Sequence, residues 1–120
     1  MADIDAPALG ERADTMIRTL ASISAEPNRL VRTFLSPEHR AAADLIAKWM
    51  RAAGLDVSED ALGTVRGLWA GESKKRLLIG SHIDTVIESG MFDGPLGVIA
   101  GILAAEYFAK AGRTLPFGID

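Results

Sequence analysis

The sequence contains no cysteine. That absence excludes a disulfide framework, a thiolate zinc site and a cysteine nucleophile. An excess of positive charge is missing as well. Thirteen Lys and Arg stand against 16 Asp and Glu, for a formal net charge of −3, which is not the footprint of a nucleic-acid binder. No hydrophobic run is long. The most extended one, Pro95 to Ala105, covers 11 residues, against the roughly 20 that a bilayer demands. The opening Met-Ala-Asp-Ile-Asp has neither the basic stretch nor the apolar core of a secretory leader. Internal repeats, low-complexity tracts and linkers rich in Pro, Gly or Ser are also lacking. What remains is 120 residues, 48% apolar and 24% charged, the proportions of an ordinary globular protein of one small domain. The expectation is a cytoplasmic protein that engages neither nucleic acid nor membrane.

Periodicity predicts three helices. The first, about Gly10 to Ser24, sets Ala13, Met16, Ile17, Leu20 and Ile23 at helical spacing. The second carries the strongest signals: Ser36 as N-cap, Pro37 in the first turn, and an apolar face of Ala42, Leu45, Ile46, Trp49, Met50 and Ala53. Gly54 then stops it. The third begins near Gly94 or Pro95, runs to about Ala111 and is apolar most of the way round, which predicts deep burial. Between the second and third helices the period changes. Leu55 to Glu59 and Thr64 to Ala70 read as strands of a hairpin turning at Asp60-Ala61-Leu62-Gly63. Arg76 to Gly80, with Leu77-Leu78-Ile79, reads as a strand covered on both faces. Leu115 to Asp120 reads as the opening of a further strand, so an edge is left unpaired and the chain looks like one piece of a larger α/β domain.

Chemistry concentrates after the Arg76 strand, in Gly80-Ser81-His82-Ile83-Asp84-Thr85 and, 11 residues beyond His82, Asp93. Ligands of open α/β sheets sit beyond the carboxyl ends of the strands. His82 and Asp84, two residues apart on extended backbone, point the same way. A carboxylate there can take the N–H of the imidazole and leave the other ring nitrogen for a metal. Each residue also has a quieter alternative. His82 can be a buried histidine satisfied by backbone, Asp84 the start of an Asx-turn, and Asp93 a helix N-cap. His39 reads as a neutral surface residue, Trp49 and Trp69 as core or semi-core aromatics, and Lys74-Lys75-Arg76 as a solvated turn. Asp14, Asp44, Glu59 and Glu106 read as solvated charges. No nucleotide-binding glycine motif is present.

The run GSHIDTVIESGMFDGPLGVIAG resembles the first metal-binding motif of the aminoacylase and carboxypeptidase-like zinc hydrolases. More narrowly, it resembles their amidase branch, which includes allantoate amidohydrolase, N-carbamoyl-L-amino-acid hydrolase and β-ureidopropionase. The stretch VRTFLSPEHRAAADLIAKWMRAAGLDVSEDALGTVRG is similar to the same branch and leans toward allantoate amidohydrolase. The resemblance implies an α/β fold, the N-terminal portion (residues 1–120) of a mixed-sheet catalytic domain with helices on both faces. It implies that His82 binds one of two divalent metal ions, zinc or manganese, that Asp93 bridges both, and that Asp84 stands behind His82 and orients it. It further implies a cis peptide bond after Asp93, a small ureido substrate and a homodimer built by a second domain that this sequence does not contain. Thr64 departs from the branch, which has Asn after Gly63. The Glu-Glu pair that follows the strand beginning at Leu115, one Glu the general base and the other a ligand, is not in the sequence, and neither are two further His. The expectation is therefore a half-built site, inactive by itself.

Overall fold

The computed structural model describes residues 3–120. In chain order these form α1 (Ala6–Ala21), α2 (Pro37–Ala52), β1 (Asp56–Glu59), β2 (Val65–Leu68), β3 (Arg76–Leu77), α3 (Pro95–Lys110) and β4 (Gly118–Ile119). Helix α1 starts earlier than its apolar spacing indicates, because Asp5 caps it by accepting from Ala8 N at 2.9 Å, with a proline in the first turn. It also ends earlier, at Ala21, where the Ser22 hydroxyl turns back to the Thr19 carbonyl at 2.6 Å. Helix α2 follows its sequence signals closely. Ser36 accepts from His39 N at 3.1 Å, and Gly54 beyond the last turn takes φ +86°.

β1 and β2 pair antiparallel with Asp56 opposite Leu68 and Glu59 opposite Val65. Asp60 closes their turn by accepting from Leu62 N and Thr64 N, bonds that hold its carboxyl below the usual range. β3 pairs parallel with β4, and an antiparallel bridge from Trp69 to Ile119 joins the two pairs. The strands are thus mixed in direction, and the class is α/β.

All three helices contribute to one core. Leu20 of α1, Ile46 and Met50 of α2, Leu55, Ile102 of α3 and Ile119 of β4 form a single buried cluster. Ile17, Ile99 and Leu103 make a second where α1 lies on α3. Side chains of this size each stabilise the fold by about 1.5–3 kcal/mol on burial. The molecule is only 18 Å thick along its shortest axis, room for about two layers when a helix alone takes roughly 10 Å.

Three expectations need correction. The strand at Arg76–Gly80 is regular only over Arg76–Leu77, and Leu77 and Leu78 are 49% and 70% exposed instead of covered. Among the described residues, the one element that packs substantially against β3 is its partner β4. Leu96, in the first turn of α3, is likewise exposed, although Pro95, Ile99, Ile102, Leu103 and Ala105 of the same helix are buried. Glu106 is not a solvated charge. It is buried on α3, where it accepts from Arg12 of α1 at 2.5 Å and pairs with Lys110 at 2.8 Å. The Arg12 hydrogen bond, outweighing burial, holds its carboxyl below the usual range.

Candidate metal-binding site

β3 and α3 place the site. Beyond Leu77 the chain runs without regular structure through His82 to Val86, then turns into α3 at Pro95. Along the way it crosses the first turns of α3 at very short range. A Cβ added at Gly101 would meet Ile79 at 3.1 Å, one at Gly97 would meet Ser81 at 2.8 Å, and one at Gly94 would meet the His82 carbonyl at 2.4 Å. These three glycines lie on one face of the helix and its entry. Their missing side chains let His82 settle directly against the backbone.

The imidazole then makes two approaches. Nδ1 lies 2.8 Å from the carbonyl oxygen of Asp84. A carbonyl only accepts, so Nδ1 carries the proton and Nε2 presents a free lone pair. Nε2 in turn lies 3.8 Å from Oδ2 of Asp93, too far for a hydrogen bond. Two donors holding one divalent cation at roughly 2.0–2.2 Å each stand roughly 3–4 Å apart, and this pair falls in that interval. The carboxylate of Asp84 stays close, its Oδ1 3.4 Å from Nδ1, but the shorter contact with the ring is from the main chain of that residue.

Asp93 does not serve as a helix cap. The N-cap of α3 is Gly94, at φ +94° and ψ −64°, with no side-chain cap. The bond after Asp93 is trans, as are all described peptide bonds. The reversal that a cis bond would make is achieved here by the positive φ of Gly94, open to a residue without Cβ. Asp93 is left 74% exposed with its carboxylate turned toward His82.

A cavity of about 190 Å³ opens beside the imidazole, lined by Phe34, His39, Thr64, His82 and Asp84 among others. It is smaller than the roughly 300–1,000 Å³ of a finished ligand pocket. Thr64, the departure from the amidase pattern, faces this same space. His39 is half-buried there with its ring edge against Phe34 at 5.3 Å. A larger, mainly apolar cavity of about 420 Å³ adjoins it through Ser81 and Val98. Among the described residues no group of three or more His, Cys, Asp or Glu converges to hold a metal. His82 and Asp93 are a pair, and they fit one shared cation.

The sequence pattern draws attention to His82, Asp84 and Asp93 but passes over Arg32 and Gly94. Arg32 is fully buried and donates to Ile83, next to His82. Only a long polar side chain in an irregular stretch hinted at it. Gly94 reads as a helix start, and its clearance for His82 has no local signature.

No family model matches the chain. Similarity to individual proteins is extensive. Allantoate deiminase 1 of Glycine max is 43% identical over 107 residues, covering 88% of this chain and 22% of the relative. An N-carbamoyl-L-amino acid amidohydrolase of Geobacillus stearothermophilus is 42% identical over 106 residues, covering 86% of this chain and 26% of the relative. The crystal structure of a hydantoinase/carbamoylase family amidase from Burkholderia ambifaria superposes with a TM-score of 0.85 at 35% identity, over 92% of this chain and 28% of that one. The chain belongs to the hydantoinase/carbamoylase family of amidases. It spans about a quarter of the length of the curated relatives it matches. In this family context the α/β fold and the resemblance stated from the GSHIDTV and FDGPLGV motifs agree.

Proposed function

We propose that the whole protein to which this carbamoylase-family segment belongs hydrolyses a C–N bond of a small ureido or carbamoyl compound, using two divalent metal ions, zinc or manganese. The supporting observation is the pairing of His82 Nε2 with the Asp93 carboxylate at 3.8 Å, with Nδ1 already tied to a carbonyl. His82 would hold one ion through Nε2, and Asp93 would hold both through its two oxygens. Asp84 orients the imidazole. Bound there, such ions polarise a carbonyl and lower the pKa of water. The contribution of this chain is to tie Nδ1 of His82 to the Asp84 carbonyl, so that Nε2 faces Asp93, and to present Asp93 unhindered by any capping bond. The general base is a Glu outside these 120 residues.

Allantoate is our first choice of substrate, on the names of the plant relatives, and N-carbamoyl-L-amino acids are the second. The working form is a cytoplasmic homodimer. A second reading, favoured by the absence of any three-ligand group among the described residues, is that these 120 residues alone form a non-catalytic piece. The DNA downstream of the Asp120 codon separates the two. An in-frame Glu-Glu pair soon after it supports the enzyme, and an immediate stop supports the inert reading. The activity test is hydrolysis of allantoate, N-carbamoyl-L-amino acids and dipeptides by the full-length protein with zinc or manganese. Activity on a ureido substrate, lost in His82→Ala and in Asp93→Asn, is expected. Cleavage of dipeptides alone would overturn the assignment.

A further inference from the structure

The largest fully buried side chain among the described residues is a cation. Arg32 has no solvent exposure, and burial pulls its guanidinium below the usual arginine range, opposed by the Asp84 charge. Among the described residues no carboxylate is hydrogen-bonded to it. Its donors go to main-chain carbonyls from two separate parts of the chain. Nη1 donates to Leu20 and Ile23 at the end of α1, each at 2.8 Å. Nε donates to Ile83 at 2.8 Å. Nη2 is buried without a hydrogen-bond partner. The main chain of Arg32 adds a reciprocal clasp, its N donating to the Thr85 hydroxyl and its carbonyl accepting from Thr85 N, both at 2.8 Å.

Asp84 is thus held on both sides, at Ile83 and at Thr85, by one residue. Its own carbonyl is the acceptor that puts the His82 proton on Nδ1. The segment has no strand or helix pairing of its own, so these bonds are what give the carbonyl a direction. We propose that Arg32 is a positioning residue that fixes Ile83–Thr85, so that the Asp84 carbonyl holds His82 with Nε2 free and turned to Asp93. Its consequence for metal binding rests on the function proposed above, whereas its effect on the His82 proton does not. A lysine cannot substitute, because one ammonium on a flexible stem does not span α1 and the Ile83 carbonyl as a rigid fork does.

The test reads the protonated nitrogen of His82 directly, by ¹⁵N NMR of the full chain. The native protein should show the Nδ1–H form, and Arg32→Lys should shift it toward Nε2–H. Zinc affinity, measured by chelator competition, should fall by roughly 10–100-fold. Arg12→Met, which breaks a part-buried pair elsewhere, should lower the unfolding midpoint and leave the His82 tautomer and zinc affinity as they were. A folded Arg32→Lys protein that keeps His82 fully in the Nδ1–H form would overturn the proposal. If Arg32→Lys does not fold, Thr85→Val removes only the hydroxyl of the clasp. A shifted tautomer there supports the proposal, and an unshifted one overturns it. If zinc leaves the native His82 signals untouched while Arg32→Lys still moves the proton, the positioning stands and the metal reading fails.

Discussion

Substituting Gly94 by alanine tests how the site is put together, because two independent costs meet at that residue. The first is conformational. At φ +94° and ψ −64° an L side chain is strained by about 1–3 kcal/mol. The second is steric. The new methyl would lie 2.4 Å from the His82 carbonyl oxygen, 2.6 Å from its Cε1 and 2.7 Å from its Nδ1, where ordinary contact begins near 3.4 Å. Relieving such overpacking costs about 1–3 kcal/mol, so Gly94→Ala should destabilise the fold by about 2–6 kcal/mol in all. A domain of ordinary stability has about 5–15 kcal/mol to lose. Two measurements belong together, urea unfolding and zinc affinity. If the imidazole swings aside, stability falls by the smaller amount and zinc binding is lost. If the ring holds its place, zinc binding persists and the urea midpoint drops by the larger amount. Gly90→Ala is the control, since nothing lies within 4 Å of its added methyl. A Gly94→Ala protein with native midpoint and native zinc affinity would refute the close approach itself.

Asp84→Asn keeps the main-chain carbonyl that bonds His82 and removes only a charge, so zinc affinity should fall by roughly 10-fold, the mild end for a group behind a metal ligand. A loss beyond about 1,000-fold in an equilibrium titration would instead make the carboxylate a ligand. Zinc titrated into the 120-residue chain should bind weakly and at one ion per chain, as a two-donor site allows. Two tightly held ions in calorimetry would contradict this. Glu106, held below its ordinary value of 4.5 chiefly by Arg12, contributes stability that is complete above that value and lost as pH falls through the lowered one. Glu106→Gln should therefore cost about 1–2 kcal/mol at neutral pH, discounted because Arg12 is half exposed. The same variant should flatten the acid limb of the stability curve, and an unchanged limb in urea titrations below pH 5 would show that the pair contributes nothing.

Local features were the legible ones. Ser36, Pro37 and Gly54 mark both ends of α2 because capping is a contest between near neighbours, and the turn at Asp60–Gly63 is equally local. The helix entry at Asp5 carried the same kind of signal, a capping carboxylate followed by a proline, yet the apolar spacing that begins at Ala13 drew the boundary later. The pairing of His82 with Asp93 was legible as well, since only a short loop separates them. What could not be read was tertiary. Glu106 meets Arg12 from 94 residues away, and no pattern along α3 distinguishes it from a solvated charge. Arg32 finds its acceptors on α1 and beside His82, which the irregular sequence around it does not announce. The cover expected over Leu77 and Leu78 follows from their apolar run, but cover is supplied by other elements, and here both side chains stay largely exposed.

That uncovered strand has a practical side. Arg76 and Leu77 offer their backbone on the flank opposite β4, and a second molecule could add there as a further strand. Lys74 and Lys75 stand immediately ahead of it, both exposed, so two copies docking edge to edge would press like charges together. Dilute buffer should thus keep the molecules apart, and concentrated salt, by shortening the reach of that repulsion, should turn the same solution cloudy.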